Sequence, residues 1–271
     1  MCKIKTYTVL RKKNGGTGMY FEVSKEVFDK LPDFVIGVVA VQGIDNSKDV
    51  PAITEMLDRY AEECRQYFEA SGNKAKEDPC VTPYRDAFRE IGINPNRYAC
   101  AIEALMDRIA KGKGMPHINP AVDLGNAVSL KYRLPIGAHD MYTFLRPDGT
   151  GRGSEDAGIE IRPAGPDDHF RPFGAPEGEY DDPEPGEIVY VSGHEVRTRR
   201  WTWRQSEQGK MTEKTTAVFY PIDGFSGVNS EDVKKAMKDF TELLANYFAR
   251  SGSRCTVATG FVDKDNPRLE F

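Results

Sequence analysis

The spacing of apolar residues along the chain predicts several amphipathic helices. In an α-helix, residues three and four apart share a face, so apolar residues at these intervals mark the side that packs on a core. Three segments follow this spacing, namely 51–70, 96–110 and 230–248. Ser230, at the start of the third segment, is a favoured N-cap residue. We therefore expect three helices that each bury one face.

A fourth helix is predicted from the residues at its start. Asn119 is a favoured N-cap residue and Pro120 a favoured first helical residue, so a helix should begin here and run to about Val128 or Leu130. Gly125 lies inside this segment, where Ala would favour the helix by roughly 1 kcal/mol. We therefore expect another group to approach the backbone closely at Gly125.

Runs of β-branched and aromatic residues predict the strands. The clearest are 34–42, 136–145, 188–192, 196–203, 215–222 and 255–261, with shorter ones at 159–162 and 169–173. Near the N-terminus, alternating residues over 6–12 and 19–23 flank Asn14-Gly15-Gly16, which predicts a hairpin. The order of elements favours the α+β class, as a single domain with a mixed or antiparallel sheet packed against helices.

Composition and charge narrow the classes of function. The 271 residues are 39% hydrophobic and 29% charged, as in ordinary folded proteins. The longest apolar run, Phe34–Val41, is too short to span a bilayer, and the residues after Met1 lack a signal-peptide pattern, so we expect a cytoplasmic protein. The net charge of −5 disfavours nonspecific nucleic-acid binding, so any RNA contact requires a local basic patch.

Metal and cofactor sites have little support in the sequence. The five cysteines include no CxxC pair, and the four histidines lack metal-binding spacing, so we expect neither a metal nor an organic cofactor. His139, followed by Asp140 on a predicted strand, is a candidate acid or base. The alternative is that His139 is simply a hydrogen-bonded structural residue.

The most unusual segment, 197–204, contains four arginines and both tryptophans of the chain. Guanidinium groups suit phosphates and indole rings suit bases, so we expect an RNA-binding face made of Arg197, Arg199, Arg200, Arg204 and Trp201. Alternation on an unbroken strand would divide these arginines between two faces. The structural alternative is that the tryptophans are core residues and the arginines pair with Glu207, Glu213 or Asp223.

Three stretches, Ala101–Leu105, Pro116–Leu130 and Leu134–Asp140, resemble the B3/4 domain of the phenylalanyl-tRNA synthetase β subunit. More closely, they resemble free-standing proteins built from that domain alone. The most specific features are VDxxN, which ends at Asn126, and P-x-x-A-x-D, which ends at Asp140. The resemblance implies a B3/4-like domain over 34–250, preceded by the hairpin and extension 1–33 and followed by a strand and tail at 251–271.

The resemblance implies an editing-type domain whose pocket hydrolyses the ester of a mischarged tRNA, here in trans and without a protein nucleophile. The family's pocket asparagine falls on Asn126, and the threonine before it is replaced by Gly125. The pocket histidine falls on Gly137, and His139 would face the same side of the strand. The glutamate that reads the substrate's hydroxyl falls on or beside Tyr220, so specificity for tyrosine does not carry over.

From this resemblance we expect a catalytic set and a substrate pocket. The catalytic set is Asn126, which offers an amide donor, with His139, Thr215 and Thr216 orienting the water. The pocket residues are Gly125, Gly137, Tyr220 and Trp203. The expected partner is tRNA or aminoacyl-tRNA, with neither DNA nor a membrane. The alternative, favoured by the acidic charge and the missing histidine and glutamate, is a non-catalytic module that binds an amino acid or other small ligand, or a partner of a synthetase.

Overall fold

The computed structural model describes residues 18–248 and 255–271, together with the backbone of residues 5–8. Within these ranges the chain forms six α-helices: α1 (Lys25–Lys30), α2 (Pro51–Ser71), α3 (Thr82–Glu90), α4 (Ala101–Ala110), α5 (Pro120–Tyr132) and α6 (Ser230–Phe248). Two short 3-10 helices span Ala75–Glu77 and Met141–Thr143. None of the helices in the described ranges has the length and apolar character needed to cross a membrane.

The strands, numbered in chain order, form two sheets. The first has the order β1 (Lys5–Thr8), β10 (Thr256–Val262), β3 (Phe34–Gln42), β9 (Ala217–Phe225) and β4 (His139–Asp140). The second has the order β11 (Arg268–Glu270), β2 (Tyr20–Val23), β5 (Gly158–Pro163), β6 (Ile188–Ser192), β7 (Glu195–Arg199) and β8 (Arg204–Gln205). β1 with β10 and β2 with β5 are parallel, and the other pairs are antiparallel. The predicted α+β class is confirmed.

The first sheet is covered on both faces. On one face α6 lies against β3, where a Cβ on Gly37 would be only 2.5 Å from Sδ of Met237. On the other face the second sheet packs through aromatic rings, such as Phe21 of β2 against Phe219 of β9, with ring centroids 5.1 Å apart. Because β3 and β9 are buried on both sides, their sequences are almost continuously apolar rather than alternating.

The predicted N-terminal hairpin is wrong. β1 pairs with β10 in the first sheet, whereas β2 belongs to the second sheet. The physical reason is that β2 already pairs with β5 on one side and β11 on the other, which leaves no edge for β1. The predicted turn at Asn14-Gly15-Gly16 lies outside the described residues.

The helices follow the sequence prediction closely. α2 and α6 match their predicted ranges, and α4 begins five residues later than the apolar spacing suggested, at Ala101. α5 begins at Pro120, and the Asn119 side chain accepts a hydrogen bond from the N–H of Val122 at 3.1 Å. The predicted cap therefore forms, and it fixes where α5 enters the fold.

The short strand predicted over 169–173 is reduced to isolated bridges at His169 and Pro172, and two longer predicted strands are shorter than expected. The strand predicted over 136–145 is reduced to His139–Asp140, because the Asp140 carboxylate accepts the N–H of Tyr142 at 3.0 Å and turns the chain into a 3-10 helix. The strand predicted over 196–203 ends at Arg199. Arg200 and Trp201 both adopt left-handed conformations, with φ of 49° and 58°, and form the turn between β7 and β8.

Candidate functional site

A cavity of about 340 Å³ lies where the two sheets meet α4 and α5. Its walls come from these two helices, from strands β6 and β9, from the segment that leads into β4, and from the turn between β7 and β8. The lining residues are Ala101, Leu105, Val122, Gly125, Asn126, Pro135, Ile136, Gly137, Ala138, His139, Phe173, Tyr190, Thr198, Trp201, Thr202, Trp203, Arg204, Gln205, Pro221 and Asp223. A mostly apolar wall with a few convergent polar groups is typical of a small-ligand site.

α5 brings Asn126 to the cavity wall. The buried Asn46 side chain donates to Oδ1 of Asn119 at 3.0 Å and thereby holds the start of the helix. Asn126 lies almost two turns further on and is half-buried, and its side-chain amide forms no hydrogen bond with another residue of the described chain. The amide is therefore available to a ligand.

Two glycines lie beside the cavity for different reasons. A Cβ on Gly125 would be 3.5 Å from Cε1 of Tyr220, which is an ordinary contact, so the expected close approach at this glycine is not tight. A Cβ on Gly137 would be 3.1 Å from Cγ of Pro221 and 3.3 Å from Nε2 of His139. Gly137 thus leaves the space into which the His139 ring projects.

Asp223, on β9, is a buried carboxyl group in the cavity wall. The hydroxyl of Tyr190 and Nε1 of Trp201 both donate to its Oδ1, each at 2.9 Å. Its Oδ2 accepts no hydrogen bond from another described residue. Burial raises the pKa of Asp223 to about 7, against the opposing effect of the two donors. Near neutral pH this carboxyl group can therefore both hold and release a proton.

His139 is only 3% exposed and lies beside Tyr190, with the two rings nearly parallel and their centroids 5.8 Å apart. Burial, together with the positive charge of Arg197, lowers the pKa of His139 to about 3. The imidazole is therefore neutral at physiological pH. It can accept or donate a hydrogen bond in the cavity, but it does not supply a positive charge there.

The turn between β7 and β8 places consecutive side chains in different environments. Trp201 is fully buried among aromatic rings, and its edge contacts Phe34 with centroids 5.1 Å apart. Thr202 and Trp203 line the cavity, and the buried Oγ1 of Thr202 has no hydrogen-bond partner among the described residues. A buried hydroxyl without a partner is costly, so Thr202 is a candidate ligand contact.

Much of the predicted RNA-binding face is wrong. Arg197 is 1% exposed, pairs with Glu195 at 2.8 Å and donates to a backbone carbonyl. Arg199 is 2% exposed and pairs with Glu187 at 2.9 Å. Trp201 lies in the core. These groups cannot reach a phosphate or base from inside the fold, and the structural alternative applies to them, although with other acidic partners than the sequence suggested.

The remaining two arginines lie beside aromatic rings at the cavity: Arg204 lines it, whereas Arg200 contacts the lining residue Trp203 and also lies 3.7 Å from Glu187. The Arg200 guanidinium lies 4.0 Å from the centre of the Tyr98 ring and 4.6 Å from that of Trp203. The exposed Arg204 lies 5.9 Å from the Trp203 ring and forms no ion pair with described residues. Tyr98 and Trp203 are in edge contact, with centroids 4.9 Å apart. We call Tyr98, Arg200, Trp203 and Arg204 the rim cluster.

Three other predicted site residues lie outside the cavity. Thr215 is buried and donates to Oδ2 of Asp140 at 2.7 Å, which stabilises a loop. Thr216 is exposed, and its backbone carbonyl accepts hydrogen bonds from the backbone N–H groups of Gly43 and Ile44. Tyr220 lies behind Gly125 and donates to the carbonyl of Ala121 at 3.0 Å. Because alternation along β9 turns Tyr220 towards α6, it belongs to the core.

Asp223, Tyr190 and Thr202 are cavity residues that the sequence did not identify as site residues. A signal for Asp223 was available, since it is the only charged residue within the nine residues of β9. A charged residue in a doubly buried strand needs a partner or a function. Tyr190 and Thr202 carry no comparable signal, because their roles depend on contacts between distant segments.

The fold and cavity together define an α+β protein with a cavity between two sheets and two helices. A family model described as the B3/4 domain matches residues 83–249, which is more than half of the chain. The chain therefore belongs to the B3/4 domain family, as its sequence predicts. The matched range includes every helix that lines the cavity.

A solved N-terminal fragment of the phenylalanyl-tRNA synthetase β subunit from Pyrococcus horikoshii is similar, with a TM-score of 0.46 and 13% identity. The comparison covers 95% of this chain and 56% of that fragment, so the chain spans little more than half of the fragment's length. No curated protein matches the chain.

Proposed function

We propose that the protein hydrolyses the ester bond of an aminoacyl-tRNA in trans, with the aminoacyl group bound in the cavity. The observation that carries this proposal is the buried carboxyl group of Asp223 in the cavity wall of this B3/4-family chain. Its Oδ2 has no hydrogen-bond partner among the described residues, and its pKa is about 7. A group that exchanges protons near neutral pH suits general acid–base catalysis. The volume of about 340 Å³ suits one amino-acid side chain and its ester.

The proposed reaction is attack of water on the ester carbonyl. The Asp223 carboxylate accepts a proton from the water as the new C–O bond forms. Asn126 donates its side-chain N–H to the carbonyl oxygen, which becomes negatively charged in the transition state. The bond to the ribose oxygen then breaks, that oxygen takes up the proton that Asp223 accepted from the water, and a free amino acid and an RNA with a free 3′ end leave. No protein nucleophile is required.

The neutral His139 and the hydroxyl of Thr202 would position the water or the aminoacyl group. Neither group carries a charge at physiological pH, so their contribution is orientation. In the rim cluster, the Trp203 ring offers a stacking surface for the terminal base, and Arg204 offers a guanidinium for a phosphate. The cavity and its mouth therefore suit the two halves of an aminoacyl-nucleotide.

A second candidate function is binding of a free amino acid or similar small ligand without catalysis. The observation that favours it is the neutrality of His139 together with the position of Thr215 and Thr216 outside the cavity. Of the two described wall residues that could transfer a proton, His139 and Asp223, only Asp223 has a pKa near neutral pH. A binding module would keep the cavity and its apolar wall but would not depend on proton transfer by Asp223.

The experiment that tests the proposal is incubation of the protein with a panel of labelled aminoacyl-tRNAs, including mischarged pairs, followed by measurement of the remaining ester. We expect selective loss of the ester from one or a few pairs. Asp223→Asn and Asn126→Ala should each lower kcat by at least tenfold with intact folding. The matched control Asp49→Asn changes an exposed carboxylate and should leave kcat unchanged. Hydrolysis of no pair, with tight binding of free amino acids, would favour the binding module.

A further inference from the structure

A second concave surface lies on the opposite side of α4 from the cavity. It is a groove of about 820 Å³ between α4 and the segments 73–76 and 95–99. Ala101 and Leu105 of α4 face the cavity, whereas residues 103, 104, 107 and 110 of the same helix, and Lys111 just after it, face the groove. One helix therefore forms a wall of both.

The groove presents three positively charged side chains that form no ion pair with a described residue. These are Lys74, Lys76 and Arg97, which line it and are exposed. This surface is positive on a protein whose net charge is −5. A local cluster of free cations on an acidic protein attracts an anionic partner to that place rather than to the whole surface.

The acidic side chains of the groove are already neutralised. Glu103 pairs with Arg85 at 2.6 Å, with both side chains buried. Asp107 pairs with Lys111 at 2.6 Å. The charge of Lys76 also acts on Glu103, but with both carboxylates ion-paired the residues that line the groove keep a net excess of three positive charges. We call the groove, with Lys74, Lys76 and Arg97 as its charged residues, the basic groove.

The basic groove is joined to the cavity mouth by side-chain contacts. The Arg97 guanidinium lies 5.2 Å from the centre of the Tyr98 ring. Tyr98 belongs to the rim cluster, where its ring contacts Trp203, which lines the cavity. The groove that Lys74, Lys76 and Arg97 line is thus linked, through Arg97 and Tyr98, to Trp203 in the cavity wall.

We propose that the basic groove binds the sugar–phosphate backbone of an RNA strand whose 3′ end reaches the cavity across the rim cluster. Cations that follow a strand, together with rings on which bases stack, are the elements of single-stranded RNA recognition. An acidic peptide would use the cations but would have no need of the aromatic rim. This inference rests on the proposed function, because it supplies the path by which the aminoacyl end enters the site.

The test compares two triple charge reversals. Lys74→Glu, Lys76→Glu and Arg97→Glu together change the groove, and Lys214→Glu, Lys238→Glu and Lys264→Glu make the same change in net charge at exposed positions elsewhere. Affinity for a fluorescently labelled tRNA that carries no amino acid is measured by anisotropy over a range of salt concentrations. We expect the groove variant to bind at least tenfold more weakly than the control variant. Its slope of log K against log salt should be smaller by about 2 to 3, as for three lost phosphate contacts.

The outcomes separate this inference from the proposed hydrolysis. A tRNA that carries no amino acid lacks the aminoacyl ester, so its binding reports on the groove even if no substrate is hydrolysed. Equal affinities in the two triple variants, or no tRNA binding by the unmodified protein at low salt, would overturn the inference. If hydrolysis is found, the groove variant should raise KM for aminoacyl-tRNA but leave hydrolysis of a 3′-aminoacyl-adenosine unchanged. The alanine triple at the same groove positions should give a smaller loss in the same direction.

Discussion

Asp223→Asn is the perturbation whose energetic effect the structure defines best. The substitution keeps an oxygen that can accept from Tyr190 and Trp201, and it removes the ionisable carboxyl group from the cavity wall. Burial raises the pKa of Asp223 from 3.8 to about 7 in the folded protein. We therefore expect the variant to fold and to differ from the unmodified protein in how its stability depends on pH.

The sign and size of this difference follow from proton linkage. The unfolded chain loses the Asp223 proton near pH 3.8, whereas the folded protein keeps it until about pH 7. Between these values the folded state binds more protons, so this group makes the protein less stable as the pH rises. Since each pKa unit corresponds to about 1.4 kcal/mol, the full loss is about 4 kcal/mol, of which about 2.5 kcal/mol falls between pH 5 and pH 8.

The assay is urea denaturation of both proteins at several pH values from 5 to 8. All other titrating groups are shared, so the difference between the two free energies of unfolding isolates Asp223. We expect this difference to shift by about 2.5 kcal/mol in favour of Asp223→Asn across that range. Stability curves that stay parallel from pH 5 to pH 8 would refute the raised pKa and, with it, the proton-transfer role.

Three further substitutions, two beside the cavity and one in the wall of the basic groove, test the packing by urea denaturation. Tyr220→Phe should lower the free energy of unfolding by about 1 kcal/mol, because the hydrogen bond to the carbonyl of Ala121 is lost, and should leave ligand affinity unchanged. Weakened ligand binding would show that Tyr220 contacts the ligand after all. Gly125→Ala should stabilise the protein by up to about 1 kcal/mol, because the new Cβ makes only an ordinary contact, and destabilisation would show that the backbone cannot accept it. Arg85→Met should cost about 3 to 5 kcal/mol, because Glu103 is left buried without its partner, and a loss below 1 kcal/mol would show that Glu103 finds another donor or water.

Local signals in the sequence accounted for much of the helical structure. The start of α5 follows from Asn119 and Pro120, because an N-cap and a helix-initiating proline act within one turn. The position of Asn126 then follows from the helix. The continuous apolar runs of β3 and β9 likewise identified strands of the buried sheet. These features depend on neighbouring residues and on burial, which the sequence displays directly.

Features that depend on distant contacts were not predictable in the same way. Pairing of β1 with β10 brings together opposite ends of the chain, so the local turn residues suggested the wrong partner. The turn at Arg200 and Trp201 uses left-handed conformations that residues other than glycine rarely adopt. Burial of the Trp201 ring against Phe34 and its hydrogen bond to Asp223 accompany this conformation, and both contacts come from remote segments.

The candidate site also contains residues that the sequence predicted and residues whose role depends on distant contacts. The family resemblance led to Gly125, Asn126, Gly137 and His139, and the structure brings all four to one cavity. Asp223 was overlooked as a site residue because the sequence does not show which face of β9 meets the second sheet. The arginines of 197–204 could not be sorted into buried and exposed ones, since their acidic partners lie on other segments.

The most direct test of the central claim, that the cavity binds the aminoacyl end, is calorimetric titration with non-hydrolysable amide-linked aminoacyl-adenosines. Ala101→Phe adds a ring to the cavity wall, and Ala70→Phe adds the same ring to an exposed position on α2 as the control. We predict that at least one analogue binds the unmodified protein and the control equally, and binds Ala101→Phe at least tenfold more weakly. Equal binding by all three proteins, or binding of no analogue, would contradict the assignment of the cavity.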